Sequence, residues 1–513
     1  MIADVRKGEI KVPKFQRPFV WNDEQALKLV DSIARGYPVG SVLLWRTTEK
    51  LKSERELGRF RLPETDEMTP TKYVLDGQQR ITVIYSALGA AAAETGFSPI
   101  YDLRKEEFAT EPENREKHHF PLRFAYRTTD LLNFRTELQR LEDSGELQER
   151  LDSLIGAVTG YRIPVVELRD LSVEEVCPIF ERINSSGTRL STFDLVAAAT
   201  WSQTFDLADH AQTISDELKP KGFAGITNET ILKCISAQLI SSVKKEDVLK
   251  LREQEEGKIE SATSETKEAL RKTIDYLQKD FGIQAMSFMP YDAHMICMRK
   301  IFSEEKNLTA VQNRRLRQWF WRTAFSQHFR GASEAFVTSS IGSAIAWILR
   351  GEGAADHFGQ APKADAIRST KFHFRAAIAK AFVIALAKSG PRNITNGAAV
   401  DLVDALSTYN NKQYHHIYPQ AWLKAEKITN IDSLSNICML SASQNNKVSD
   451  TPPHEYLPAA INELASEAEG VFASNLMPSP EVTDYSTLTY DDFLAARSEE
   501  IARHVESLCN GDL

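Results

Sequence analysis

Polar residues near the C-terminal end of the chain have the types and the order needed for metal binding and proton transfer. Two adjacent histidines, His415 and His416, stand in YHHIYPQAWL, and Asn436 and Asn445 follow further along. Neighbouring side chains on a strand point to opposite faces, so one imidazole can bind a metal ion while the other accepts a proton. A second pair, His118-His119 in the charged run EPENREKHHF, is assigned no function.

The elements around these residues follow in the order strand, loop, strand and helix. An apolar strand with the two histidines turns at Pro419, a loop leads to Asn436, and the polar run SASQNNKVSD can begin a helix. This order resembles the ββα-metal motif of HNH nucleases, whose members read Asp/Glu-His-Ile-x-Pro and later N-x-x-[VI]-S. The stretch NNKVS, residues 445–449, matches the second signature.

Phosphodiester hydrolysis gives each of these residues a role, because one group must deprotonate water and a divalent ion must stabilise the developing charge. We predict His416 as the general base and Asn436 as the residue that orients its ring through a hydrogen bond. His415 and Asn445 are the predicted metal ligands, with Asn446 as the alternative to Asn445. His415 stands where many relatives carry a carboxylate, so zinc or nickel are alternatives to magnesium or manganese.

A second candidate site stands at a strand-to-helix junction in YVLDGQQRIT, where Asp76-Gly77 precedes a helix that begins around Gln78. Such a junction offers free backbone N–H groups to an anion, and Arg80 can add a contact to a phosphate. Asp76 could hold a metal ion or a ribose hydroxyl. No G-x-x-x-x-G-K-[ST] occurs, which excludes a P-loop NTPase.

The stretches VPKFQRPFVW, GYPVGSVLLW, VLDGQQRIT and FERINSSGTRLS occur in this order over roughly residues 10–200. They resemble the N-terminal domain of GmrSD-type modification-dependent restriction enzymes and their relatives in phosphorothioate-dependent phage defence. The resemblance implies a ParB/sulfiredoxin-like domain that binds and hydrolyses a nucleoside triphosphate and senses modified DNA. It places these residues at the nucleotide: Gln16, Arg17, Asp76, Gly77, Gln78, Gln79, Arg80 and Asn184.

Two other interpretations of this domain remain open. The same residues are compatible with a nucleotide-binding switch that does not hydrolyse its ligand. Arg17 and Arg80 could instead contact DNA phosphates, because a guanidinium binds both ligands by the same chemistry.

Composition narrows the class of protein. The chain has 513 residues, 42% hydrophobic and 26% charged, as expected of several folded domains. The five cysteines contain no C-x-x-C pair, which argues against a disulfide framework and fits a reducing cytoplasm. No apolar run approaches the length of a membrane span, and the net charge of −9 leaves DNA binding to local basic patches.

Local patterns predict several elements. Asn22 is placed to cap a helix whose positions 26, 29, 30 and 33 are apolar, and a cap near Ser191 or Thr192 begins another. VGSVLLW and YRIPVVEL are interpreted as buried strands, and the cluster Trp319, Phe320 and Trp321 as helical core. The predicted fold is α+β and predominantly helical, with a ParB/sulfiredoxin-like domain over 1–200, a helical domain over 201–389 and an HNH-like ββα-metal domain over 390–513.

These observations lead us to expect a nucleotide-dependent DNA endonuclease of a restriction or anti-phage defence system. We expect modified or foreign DNA and a nucleoside triphosphate as partners and no membrane, and we allow for a homo-oligomer. The first alternative is a nucleotide-binding DNA-interaction module whose HNH-like unit is inactive or structural. The second is a toxin-like RNase.

Overall fold

The structure is a computed structural model of the chain, and it forms two compact units, Met1–Leu207 and Ala208–Leu513. It describes residues 1–13, 19, 21–48, 51, 53–54, 56–57, 60–61, 69–89, 97–172, 175–176, 179, 182–183, 191–200, 204–373, 375–406, 414–439 and 451–512. The predicted domain boundary at residue 389 lies inside the second unit and stays a prediction. None of the helices in these ranges has the length and apolar character that a membrane crossing requires.

The described residues of the first unit form ten short strands. They are β1 Ile10–Pro13, β2 Val42–Thr47, β3 Ser53–Glu54, β4 Glu56–Leu57, β5 Phe60–Arg61, β6 Thr71–Asp76, β7 Pro99–Asp102, β8 Glu107–Thr110, β9 His119–Pro121 and β10 Val165–Arg169. A mixed five-stranded sheet has the order β10-β2-β6-β1-β3, with β10 parallel to β2 and β1 parallel to β6. A small antiparallel sheet has the order β8-β7-β9, and β4 pairs with β5.

The first unit also contains helices, and two of them begin where the sequence predicts their caps. They span Ile2–Lys7, Asp23–Ala34, Gln78–Ile84, Thr128–Leu138, Ser144–Gly160 and Thr192–Ala199. Asn22 accepts a hydrogen bond from the Gln25 backbone N–H, and Ser191 accepts one from that of Asp194, so both predicted caps are confirmed. The four predicted apolar positions of the helix Asp23–Ala34 are all buried: Ala26, Leu29, Val30 and Ile33.

Strand β10 forms where the apolar run YRIPVVEL predicts it, but it is not buried as expected. Val165 and Val166 are 48% and 50% exposed. The reason is its place in the sheet, since β10 lies at the edge and is paired on one side only, with β2. The apolar character of a strand does not show which position it takes in a sheet.

The second unit is mostly helical. Its α-helices span Leu207–Leu218, Asn228–Leu239, Lys245–Leu249, Glu256–Phe281, Asp292–Glu304, Ala310–Phe325, Glu334–Ile345, Ala364–Ser369, Ala377–Lys388, Leu402–Ala405, Gln420–Ala425, Pro453–Leu464, Ala468–Ser474 and Tyr490–Asn510. Trp319, Phe320 and Trp321 are at most 1% exposed, which confirms that this aromatic cluster is core. Because helices predominate and the strands form separate small sheets, the predicted α+β, mainly helical class is confirmed.

A two-stranded antiparallel hairpin lies near the C-terminal end of the second unit. Its strands are β11 Tyr414–His416 and β12 Ile437–Met439, joined by a segment that contains the helix Gln420–Ala425 and the 3₁₀ turn Leu434–Asn436. Ile417, Tyr418 and Cys438 of this region belong to a buried apolar cluster that also includes Phe493 of the long helix Tyr490–Asn510. The hairpin therefore rests on a core of its own.

Candidate functional site

The two adjacent histidines lie on β11, in register with β12. His415 pairs with Cys438 and His416 with Ile437, so the two side chains project to opposite faces of the hairpin. The predicted metal ligand Asn445 and its alternative Asn446 lie outside the described residues. The structure therefore gives the geometry around His416, the predicted base. The assignment of His415 and Asn445 as metal ligands stays a prediction.

The His416 ring contacts a carboxylate that the sequence did not identify as functional. Nε2 of His416 lies 2.9 Å from Oδ1 of Asp432, and the Gln420 amide nitrogen lies 3.1 Å from the same oxygen. Because the carboxylate accepts the Nε2 proton, Nδ1 is left as the basic nitrogen of a neutral ring. Burial lowers the pKa of His416 below its usual value, although the hydrogen bond and the charge of Asp432 act in the opposite direction.

Asn436 is fully buried and holds backbone groups instead of the ring. Its Oδ1 accepts from the Tyr418 N–H at 2.8 Å, and its Nδ2 donates to the carbonyl oxygens of Tyr418 and Ile431, each at 3.1 Å. Both amide hydrogens are thus used, so the predicted hydrogen bond from Asn436 to the His416 ring does not form. Asn436 instead fixes the turn after His416 and the residue before Asp432.

The long C-terminal helix fixes the same segment from the other side. Tyr490 Oη donates to the carbonyl oxygen of Asn430 at 2.8 Å, and Arg497 donates to those of Ser435 and Asn475 at 2.9 and 3.0 Å. Arg497 is fully buried, and desolvation lowers its pKa to about 10, so the guanidinium stays charged at neutral pH. These bonds restrict the loop that carries Asp432.

Nothing in the local sequence marks Asp432 or Gln420 as site residues. Asp432 stands in a polar loop, NIDSLSN, and 16 residues separate it from His416. The contact depends on the path of the loop between β11 and β12, which residue types alone do not give. An acidic residue shortly before the motif asparagine is the weak signal that could have drawn attention to it.

The second candidate site lies in the first unit, where β6 ends at Asp76 and the helix Gln78–Ile84 begins. Gly77 has φ 94°, and a Cβ there would lie 3.1 Å from Cγ2 of Val42 and 3.4 Å from its Cα. Only glycine adopts this conformation without strain and leaves room for the neighbouring strand. The predicted junction of strand, glycine and helix is therefore present.

Arg80 is occupied by protein groups rather than pointing freely to solvent. One guanidinium nitrogen donates to the Ser41 carbonyl oxygen at 2.6 Å and to Asp76 Oδ2 at 3.1 Å. The guanidinium packs against Gly40 and Gly77, where a Cβ would come within 3.3 and 3.1 Å of it. Arg80 thus fixes Asp76, whose side chain is 43% exposed, whereas that of Arg80 is 21% exposed.

The two glutamines of the motif are buried and differ in their contacts. Oε1 of Gln79 accepts from the backbone N–H of Trp21 at 3.3 Å, which joins the end of FQRPFVW to this helix. Gln78 is 4% exposed, and among the residues that the structure describes neither its Oε1 nor its Nε2 has a hydrogen-bond partner. Asp76, Gly77, Gln78, Gln79 and Arg80 are therefore together, whereas Gln16, Arg17 and Asn184 lie outside the described residues.

Comparison with known proteins supports the resemblance found in the sequence. An uncharacterized protein of Methanocaldococcus jannaschii is 22% identical over 546 aligned positions, which cover 92% of this chain and 88% of that protein. Residues 1–201 match the family model described as GmrSD restriction endonuclease, N-terminal domain. The similarity to the GmrSD N-terminal domain family that the sequence motifs predicted thus covers residues 1–201 of this chain.

Proposed function

We propose that this protein is a nucleotide-dependent DNA endonuclease of a restriction or anti-phage defence system, which cleaves modified or foreign DNA at an HNH-like site. The observation that carries the proposal is the pair formed by His416 Nε2 and Asp432 Oδ1 on a hairpin fixed by Asn436. The name of the matched family, a restriction endonuclease, supports DNA as the substrate.

The geometry around His416 suits a general base. The Nε2 proton is held by Asp432, so the Nδ1 lone pair can accept a proton from the attacking water. Because its pKa is lowered, the ring is unprotonated at neutral pH and can accept a proton. Gln420, which donates to the same carboxylate oxygen, limits the rotation of Asp432.

A divalent ion would be held by His415 and Asn445. His415 lies on β11 next to the base but on the opposite face of the strand, and imidazole with an amide oxygen suits manganese, zinc or nickel as well as magnesium. When bound, the ion stabilises negative charge on the phosphate and on the leaving oxygen. The chain's own contribution is to hold these ligands on the strand that also carries the base.

The junction from Asp76 to Arg80 is our candidate for the nucleoside triphosphate. A buried amide without a partner costs about 1–3 kcal/mol, so a polar ligand that pairs with Oε1 and Nε2 of Gln78, which lack partners within the described part of the chain, would be stabilised at this point. Gly77 leaves the backbone open to close approach, and the exposed Asp76 carboxylate can bind a ribose hydroxyl or a metal ion carried by the phosphates. Arg80 supports this carboxylate. The bound nucleotide is either hydrolysed here or acts as a conformational switch without hydrolysis.

Cleavage of DNA by wild type and two histidine variants tests the proposal. Supercoiled plasmid and modified phage DNA are incubated with magnesium or manganese, with and without ATP or GTP. We expect His416→Ala to abolish cleavage and to retain DNA affinity. His454→Ala is the matched control, because His454 is an exposed histidine of the same unit that contacts Glu455 at 3.9 Å and the edge of the Trp422 ring but belongs to neither candidate site, and it should cleave like wild type.

Other outcomes would favour the other functions. No cleavage by folded, metal-loaded wild type under any condition would contradict the nuclease and favour a DNA-interaction module. Equal cleavage by wild type and His416→Ala would remove His416 from the mechanism. Faster cleavage of RNA than of duplex DNA would favour the toxin-like RNase.

A further inference from the structure

The small sheet β8-β7-β9 carries a compact cluster of one carboxylate and two imidazoles. Asp102 ends β7 and pairs in register with His119, the first residue of β9, and His118 precedes it. One ligand atom from each of the three residues lies within 4.8 Å of the other two. Asp102 and His118 are 5% and 7% exposed, so the cluster is largely shielded from water.

The distances within this cluster are those of ligands around an ion. Nε2 of His118 lies 3.4 Å from Asp102 Oδ1, and Nε2 of His119 lies 3.5 Å from Asp102 Oδ2. Both exceed the roughly 2.7–3.2 Å of an N–H···O hydrogen bond. In a tetrahedral site with bonds of about 2.0–2.1 Å, neighbouring ligand atoms stand about 3.3–3.4 Å apart. The 3.5 Å between His119 Nε2 and Asp102 Oδ2 therefore matches coordination better than direct hydrogen bonding.

Neighbouring groups hold the carboxylate and one imidazole in place. Oδ1 of Asp102 accepts from the backbone N–H groups of Arg104 and Lys105 at 2.9 and 3.1 Å, which fixes the carboxylate and leaves Oδ2 for an ion. Oε2 of Glu116 lies 3.5 Å from His118 Nδ1. A carboxylate behind the non-ligating nitrogen is the usual support of a metal-bound histidine.

Two contacts compete with an ion at this place. The Glu116 backbone N–H lies 3.3 Å from Nδ1 of His119, so coordination through Nε2, which puts a proton on Nδ1, requires this long contact to open. Lys105 Nζ lies 3.6 Å from Asp102 Oδ2, but its side chain is 74% exposed and can turn into solvent. Both contacts are weak beside two or three metal–ligand bonds.

We propose that Asp102, His118 and His119 bind a first-row divalent transition-metal ion, with zinc as the reference, and that the ion joins β7 to β9. Two imidazoles and a carboxylate suit zinc, cobalt, nickel or iron better than magnesium. Three protein ligands leave a fourth position for water. The ion would fasten the 103–118 segment at both ends, and this role is independent of the proposed nuclease.

Zinc binding by full-length variants tests this site. The double variant His415→Ala/His416→Ala removes the imidazoles of the C-terminal hairpin, so the zinc it binds after EDTA treatment and dialysis reports on other sites. We expect about one equivalent by calorimetry and by elemental analysis, and a visible absorption band typical of tetrahedral cobalt when cobalt replaces zinc. Adding His118→Ala/His119→Ala should abolish both signals.

Two aspartate variants show whether a loss of zinc binding results from the loss of a ligand or from misfolding. In the same His415→Ala/His416→Ala background, Asp102→Asn keeps an acceptor for the Arg104 and Lys105 N–H groups and should weaken zinc binding about tenfold or more. Asp143→Asn, which alters a surface carboxylate paired with Arg104, should bind zinc fully. The absence of bound zinc in the His415→Ala/His416→Ala protein, or equal affinities for the two aspartate variants, would overturn the proposal.

Discussion

The role of Asn436 can be tested by its effect on stability, because the structure gives this side chain three hydrogen bonds in a fully buried position. Asn436→Ala removes all three and leaves the Tyr418 N–H and two carbonyl groups without these partners. At about 1 kcal/mol for each bond, we expect a loss of about 3 kcal/mol in the free energy of unfolding.

Urea unfolding followed by circular dichroism measures this change. With a slope of about 3 kcal/mol/M for a unit of this size, the midpoint should fall by about 1 M. Asn430→Ala is the matched control, since Asn430 is half-buried in the same loop and its side chain makes a long, 3.4 Å contact with the Arg368 carbonyl oxygen. Its midpoint should stay close to that of wild type.

The comparison of stability with cleavage separates two roles for Asn436. If Asn436→Ala unfolded at the same urea concentration as Asn430→Ala, the side chain would not fasten the loop. Unchanged stability together with lost cleavage would favour the direct action on the His416 ring that the sequence motif predicts. Loss of both is the result expected from the observed hydrogen bonds.

Three further substitutions test the sites from other directions. Asp432→Asn should lower the cleavage rate about 10–100-fold and, because the carboxylate raises the pKa of His416, should move the acidic limb of the pH–rate profile to lower pH; an unshifted limb would contradict the contact. Gly77→Ala should destabilise the first unit by about 1–2 kcal/mol in thermal unfolding, since φ is 94° and Val42 is 3.1 Å from the added Cβ, whereas an unchanged midpoint would show that the junction rearranges freely. Arg80→Lys keeps the charge but has a shorter side chain and no planar guanidinium to pack against Gly40 and Gly77, so it should hold Asp76 less firmly and a fluorescent ATP analogue should bind about tenfold more weakly; equal affinity would exclude this arginine from the nucleotide site.

The features that the sequence predicted correctly depend on interactions between near neighbours. The cap at Asn22 is formed with Gln25, and the Asp76-Gly77 junction follows from a strand pattern and a glycine. The features it missed depend on how distant segments meet. Val165 is half exposed because the strand order puts β10 at an edge, and Asp432 reaches His416 through a loop that no local pattern describes.

The same limit explains why the two histidine pairs were interpreted differently. The pair at 415 and 416 is followed by a recognisable order of residue types, whereas the pair at 118 and 119 stands in a charged run without one. What distinguishes the second pair is Asp102, which lies in a different strand and is brought beside it by the pairing of β7 with β9. When the ligands of a metal ion lie on different strands of a sheet, no fixed spacing along the sequence connects them.

The two candidate sites share one structural feature, and it determines how the effects of substitutions at each site should be interpreted. In each, the residue expected to contact the ligand or the base is held by protein groups: Arg80 by Ser41 and Asp76, and Asn436 by Tyr418 and Ile431. The groups left open are carboxylates, since the side chains of Asp76 and Asp432 are 43% and 51% exposed.

Substitution of Arg80 or Asn436, which make these hydrogen bonds, should therefore reduce stability and activity together. Removal of the exposed carboxylate should reduce activity alone, because partly exposed ion pairs contribute little to stability. Asp76→Asn and Asp432→Asn, compared with Arg80→Ala and Asn436→Ala, apply this criterion in both units. A carboxylate variant that unfolds as easily as its partner variant would show that the carboxylate is structural, and the candidate site would lose its ligand-facing group.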